Sequence, residues 1–158
     1  MGFEKFQLDT FKNLPKVIAA YVSQIGDDRL DLKRNQEAWT IKEHIFHIVE
    51  VQELMLNRIK KFLSEPKPVI EPYSPMTDGK KVSKSRSLKS AFAKYRKFRK
   101  EQFLLLKNAT EEDLAKDAQH KEFTKYTLQI LLNHAICHEY WHMYRIEEIW
   151  LKKDEFFC

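Results

Sequence analysis

Apolar residues recur along this chain at intervals of three and four, the spacing that puts side chains on one face of an α-helix. Over residues 8–24 the stripe is Phe11, Leu14, Val17, Ile18 and Tyr21, with Ile25 just beyond. Pro15 is predicted in the first turn of that helix, where a missing N–H costs little, or else as a kink. The polar run "GDDRLDLKRNQEA" (26–38) has no apolar period and reads as a connection. A second helix over 39–63 has a marked start. Thr40 and Glu43 form a T-x-x-E capping box, with Trp39 just before the cap. Its inward side is Ile41, Ile45, Ile48, Gln52, Met55 and Ile59, widened by Leu54, Leu56 and Phe62.

"SEPKPVIEPYSPMTDGKK" (64–81) holds four of the five prolines and reads as a long loop of the kind that covers or shapes a site. A third helix over 88–108 shows Leu88, Phe92, Tyr95, Phe98 or Arg99, Gln102, Leu105 and Leu106. Residues 110–123 open on a cap signal at Thr110 and have room for one short turn. The fourth helix, 124–153, is the longest. Four amphipathic helices with one long and two intermediate connections predict an all-α, four-helix-bundle fold, with 1–158 as a single domain.

Composition agrees. At 158 residues the chain can bury a useful core, and three Gly disfavour a turn-rich β architecture. No apolar run approaches the roughly 20 residues of a membrane span, and "MGFEKFQLDT" lacks the form of a signal peptide. Two cysteines, Cys137 and Cys158, are too few for a disulfide framework, so a reducing cytoplasm is the expected location. The "NAT" sequon at Asn108 is then without consequence.

The candidate chemistry lies in the histidines. Five of six fall in two clusters, His44/His47 on the second helix and His134/His138/His142 on the fourth. A step of four keeps the last three on one stripe. His134 and His142 are nonetheless about 12 Å apart along the axis, too far to share one ion at imidazole–metal distances of about 2.0–2.1 Å. At most two neighbours on the stripe bind together, and a third ligand must come from His44 or His47. Three histidines with an open position describe a catalytic metal site better than a structural one. Against this stands the plainer reading of histidines packed in a core and hydrogen-bonded to carbonyls.

"WTIKEHIFHIVEVQ" and "LLNHAICHEYWHMYRIEEI" together resemble the DinB/YfiT-like superfamily of metal-binding four-helix bundles. A Trp-Ser/Thr segment opens that family's second helix, with a histidine about eight residues on, and an H-x-x-x-H pair lies in its last helix. The resemblance covers nearly the whole chain in helix order. It implies His47, His138 and His142 as ligands of a divalent metal, zinc or nickel, at one end of a pocket. His44 and His134, each about one turn nearer its helix start, are then supporting or wall residues. A His134/His138 pair is the alternative, one turn along. The family further implies a small-molecule substrate, with hydrolysis or transfer of a low-molecular-weight thiol as the reaction, and a homodimer. Its link with DNA damage and stress is one of naming and induced expression.

Three neutral imidazoles leave a divalent ion its full charge, which suits activation of water or of a thiolate. Glu50, three residues beyond His47, is the candidate for a base or for a residue supporting a ligand, whereas Glu43 is better used as a cap. Glu139 follows His138 directly and points about 100° away. Tyr140, Trp141 and Tyr144 are packing or pocket-wall residues.

Residues 80–100 hold ten of the 28 Lys/Arg and no acid, so the rest of the chain carries −5 against a total of +5. A solvated outer helix face is the simpler account of this strip. A nucleic-acid-binding module using the third helix is the competing one, and it requires steep salt dependence and indifference to histidine substitution. A non-catalytic bundle that keeps the ligands without turnover is the third.

Overall fold

A computed structural model of the chain describes residues 2–73 and 87–151. The elements are α1 (Lys5–Val22), a 3₁₀ turn (Asp27–Arg29), α2 (Ile41–Ser64), β1 (Val69–Ile70), α3 (Leu88–Lys107), α4 (Glu111–Ala115), β2 (Gln119–His120) and α5 (Leu128–Leu151). The four long helices are those predicted. α2 packs between α3 and α5, and α1 packs against the same two from the opposite corner.

The apolar core divides into two clusters that reveal the helix directions. One gathers the C-terminal half of α1 (Ile18, Val22), the start of α2 (Ile41, Ile45), the start of α3 (Ala91, Phe92) and the end of α5 (Ile146, Ile149). The other joins Phe11 to Met55, Ile59 and Phe62 of α2, Leu106 of α3, and Leu128, Leu131 and Leu132 of α5. α2 and α3 therefore run parallel, both starting at the end where α1 and α5 finish. Parallel neighbours need a connection that returns along the bundle, about 36 Å for a 24-residue helix. The chain between Ser64 and Leu88 makes that connection. Residues 74–86, which include the basic residues 80–86, lie outside the described part, as does the stretch beyond Leu151.

Between the two apolar halves sits a buried polar layer. Arg99, 2% exposed, donates to Glu139, 1% exposed, and to Gln52 Oε1 (3.0 Å) through Nη2 and to Gln102 Oε1 (3.0 Å) through Nε. Tyr95 donates its hydroxyl to the other Glu139 oxygen, and Gln52 Nε2 donates to Glu139 at 2.9 Å. Burial first, and then the Glu139 charge, push the Tyr95 hydroxyl well above its ordinary pKa, so it stays a donor. Glu139 is thus not the outward residue that its place beside His138 suggests. The azimuth of about 100° points it between α2 and α3, where an arginine and a tyrosine are waiting.

Pro15 is inside α1, not in its first turn. A proline there removes the N–H that would meet the carbonyl four residues back. That carbonyl belongs to Phe11, and Arg99 Nη1 donates to it across the bundle while the guanidinium lies 3.6 Å over the Phe11 ring. Arg99, rather than Phe98, is accordingly the inward residue of α3. Lys89, Lys94, Arg96, Lys97 and Lys100 face solvent on its outer side, and Val17 of the predicted α1 stripe is exposed too.

The ends differ from expectation for local reasons. The Thr40–Glu43 capping box forms as read, with Thr40 Oγ1 accepting from the Glu43 N–H and the Glu43 carboxylate accepting from the Thr40 N–H. α5 starts at Leu128 rather than 124. Tyr126 is fully buried, its N–H donates to Asp117 and its carbonyl accepts from Ala118, so these bonds hold it outside the helix. Thr127 then accepts from the Ile130 N–H at the helix start. β1 and β2 form a two-residue parallel bridge, Val69 opposite Gln119 and Ile70 opposite His120, too short for any sequence period. It pins the beginning of the long connection against the segment before α5.

Candidate metal centre

α2 supplies His44 and His47 from its first two turns, and α5 supplies His138 and His142 from its middle. The helices are neighbours, and their facing sides bring four imidazoles together. The Nε2 atom of His138 lies 3.2 Å from Nε2 of His47 and 3.1 Å from Nε2 of His142. One ligand atom from each of these three residues falls within 4.8 Å of the other two, the one such histidine, cysteine or acid group among the described residues. His134 does not join them. Its ring centroid is 6.4 Å from that of His138, and it lines the cavity further along α5.

His44 stands behind the cluster. Its Nδ1 is 2.8 Å from Nδ1 of His142. One of these nitrogens must carry a proton and the other a lone pair. If His142 is to offer its Nε2 lone pair, its own proton sits on Nδ1 and is donated to His44, which then carries its proton on Nε2. In that arrangement His44 holds His142 in the tautomer that binds metal, the part that supporting residues of imidazole ligands commonly play. Trp39, fixed by the cap beside it, lies parallel to His142 at 5.9 Å and edge-on to His47 at 4.9 Å.

All four rings are held neutral. Burial lowers His47 to about 4. Burial, then the neighbouring His47 and His134, lower His138 to about 4. His142 goes to about 2 through burial and the charges that His138, His47 and His44 would carry. His44 falls to about 4 by burial, then Arg145, then His47. Neutral imidazoles that converge offer lone pairs to something other than protons.

The cluster opens into a cavity of about 550 Å³, within the range of small-molecule sites. Trp39, Val51, Tyr73, Phe123 and Trp141 give it apolar walls. The β1–β2 bridge explains how Tyr73, His120 and Phe123 reach it. Glu50, the candidate base, is not among the lining residues. It lies about 60° round α2 from His47, on the side away from His44 and Val51, both of which do line the cavity. Sequence spacing kept Glu50 near His47 but could not tell which flank of the helix faced the opening. Arg58, His120 and Phe123 are among the lining residues that were not singled out from sequence. Arg58 had a signal, since eleven residues past His47 returns to within about 20° of the same azimuth.

A sequence profile of the DinB superfamily matches residues 10–146. A protein of Oceanobacillus iheyensis, provisionally named a metal-dependent hydrolase, is 19% identical over 147 residues, covering 93% of this chain and 86% of that one. Among solved structures, YfiT from Bacillus subtilis superposes with a TM-score of 0.81 at 21% identity, over 94% of this chain and 88% of YfiT. It is described as a probable metal-dependent hydrolase with an unusual four-helix bundle topology. A DinB-like protein from Bacillus subtilis matches with a TM-score of 0.59 at 21% identity, over 92% of this chain and 90% of that one. With the profile spanning all four long helices and both histidine clusters, this chain belongs to the DinB superfamily.

Proposed function

We propose that the chain is a metal-dependent hydrolase in which Nε2 of His47, His138 and His142 holds one divalent ion, with a small molecule bound in the adjoining cavity. The carrying observation is the convergence of three neutral nitrogens at 3.1 and 3.2 Å around His138. Metal–nitrogen bonds of about 2.0–2.1 Å at tetrahedral angles put ligand nitrogens about 3.3 Å apart; the two edges at His138 already match, and the third, within 4.8 Å, has only to close onto the ion. Imidazole suits zinc and nickel alike. When bound, such an ion supplies Lewis acidity toward water or a substrate oxygen at neutral pH.

The chain's own residues prepare that site. His44 keeps the proton of His142 on Nδ1, Trp39 covers the rings from one side, and the apolar walls limit water. The names given to the Oceanobacillus protein and to YfiT support the hydrolase reading. The direct test is hydrolysis of a panel of small esters, amides and phosphoesters by zinc- or nickel-loaded protein. Turnover is expected in the wild type and at background in His138→Ala. No turnover of any member, with metal bound, would count against hydrolysis. Repeating the panel with a low-molecular-weight thiol separates hydrolysis from thiol transfer, which the same open site could serve.

The role given to His44 has its own expected result. His44→Ala should still bind one ion, but about 10–100-fold more weakly, the usual cost of losing the partner that orients an imidazole. Competition with a zinc chelator measures it, and an unchanged affinity would remove His44 from the site.

A further inference from the structure

The cavity has a second polar end, built around Arg58. This side chain is 8% exposed and lines the cavity. Its Nη2 donates to the Glu71 carbonyl at 2.6 Å, its Nη1 reaches the Tyr126 hydroxyl only at 3.5 Å, and its Nε has no partner. No carboxylate pairs with it among the described residues. Arg99, the other fully buried arginine, has Glu139, while Arg34 and Arg145 share Glu148. Of the nearby acids, Glu71 is exposed and engaged by Lys121 at 2.8 Å, and Glu122 sits exposed on the cavity wall without a bond to Arg58. The titratable neighbours at this end are His120 and His134, both in the lining. Each is lowered chiefly by burial and next by the Arg58 charge, so neither competes for an anion as a cation or offers one itself.

A buried guanidinium is always charged, and leaving it uncompensated is costly unless something completes it. A carbonyl and a distant phenol do not neutralise it, yet the side chain is held open to a cavity of ligand size. We propose that Arg58 is an anion-binding subsite, and that the molecule taken into this cavity carries a carboxylate or phosphate at the end remote from the three histidines. Eleven residues separate Arg58 from His47 on α2, a backbone rise of about 16 Å, so the anion is held further along the cavity than the histidine cluster. This deepens the reading given under Proposed function and depends on it only for the histidine end.

The test uses ¹⁵N-labelled full-length protein freed of metal with EDTA, titrated with benzoate, phenyl phosphate and neutral benzamide. The Arg58 Nε–H resonance is identified by its disappearance in Arg58→Lys. At least one anion should shift that resonance and bind at least about tenfold more tightly than benzamide, in line with the strength of a charge-assisted hydrogen bond. Arg58→Gln should weaken the anion at least about tenfold, and Arg58→Lys less. The preference between benzoate and phenyl phosphate then identifies the oxyanion. Benzamide binding as tightly as either anion would overturn the proposal, as would anion binding unaffected by Arg58→Gln. If Arg58→Gln fails to fold, the wild-type resonance and the anion-to-benzamide ratio decide alone. Because the titration is done without metal, failure of the metal site leaves this result untouched. Repetition with zinc reports on that site separately.

Discussion

Replacing Arg99 by alanine is expected to lower the unfolding free energy by about 3–5 kcal/mol, the range found when one partner of a buried ion pair is removed. Four groups each lose a donor at once: the Glu139 carboxylate, Gln52 Oε1, Gln102 Oε1 and the Phe11 carbonyl. The last is the costliest to re-satisfy, because Pro15 has no N–H to return to it. Glu139 would remain 1% exposed beside Tyr95, charged and short of its cation, or would have to take up a proton. Changing both Arg99 and Glu139 to apolar residues of similar volume should recover a good part of the loss, because neither charge is then stranded. Urea unfolding of the single and double variants measures this. A loss below about 1 kcal/mol for Arg99→Ala would mean that the polar layer is not the joint between the two apolar halves.

The second large effect is the response to metal. A ligand present at a thousandfold its dissociation constant stabilises the folded state by about 4 kcal/mol. For a domain of this size each kcal/mol is worth about 2–4 °C, so saturating zinc should raise the midpoint by about 8–16 °C. His138→Ala should abolish the rise, because its Nε2 is the atom within 3.2 Å of both other ligands. His134→Ala should keep it, since that ring stands 6.4 Å from His138 and outside the cluster. Calorimetric midpoints with and without zinc provide the measurement. An equal rise in wild type and His138→Ala would place any binding elsewhere.

The bundle was legible because its signals are local. A capping box at Thr40–Glu43 and apolar spacings of three and four in each helix are properties of short windows. The inward polar positions were visible too: Gln52, Gln102 and Arg99 lay on the apolar stripes where a polar residue is out of place. What bonded them was not visible, because Glu139 belongs to another helix and its direction depends on which neighbours flank α5. Pro15 shows the same limit from the other side. A local rule puts proline in a first turn, and only a tertiary donor 84 residues away in sequence, Arg99, makes its interior position tolerable. For the site, the helix step restricted which histidines could act together, and the family resemblance implied His47, His138 and His142. The structure brings those three into one cluster and gives His44 a partner. Glu50 lies near His47 along α2 but is not among the residues that line the cavity. Arg58, on the same arc as His47, was readable in principle but has no neighbouring motif to draw attention to it.

Metal content tests the central claim most directly. Mass spectrometry on tag-free protein, as purified and after incubation with zinc or nickel, should give about one ion per chain. That ion should be lost in His47→Ala and His138→Ala and kept in His134→Ala. No bound ion in the wild type under any of these conditions, or an ion that His134→Ala loses and His47→Ala keeps, would contradict the account.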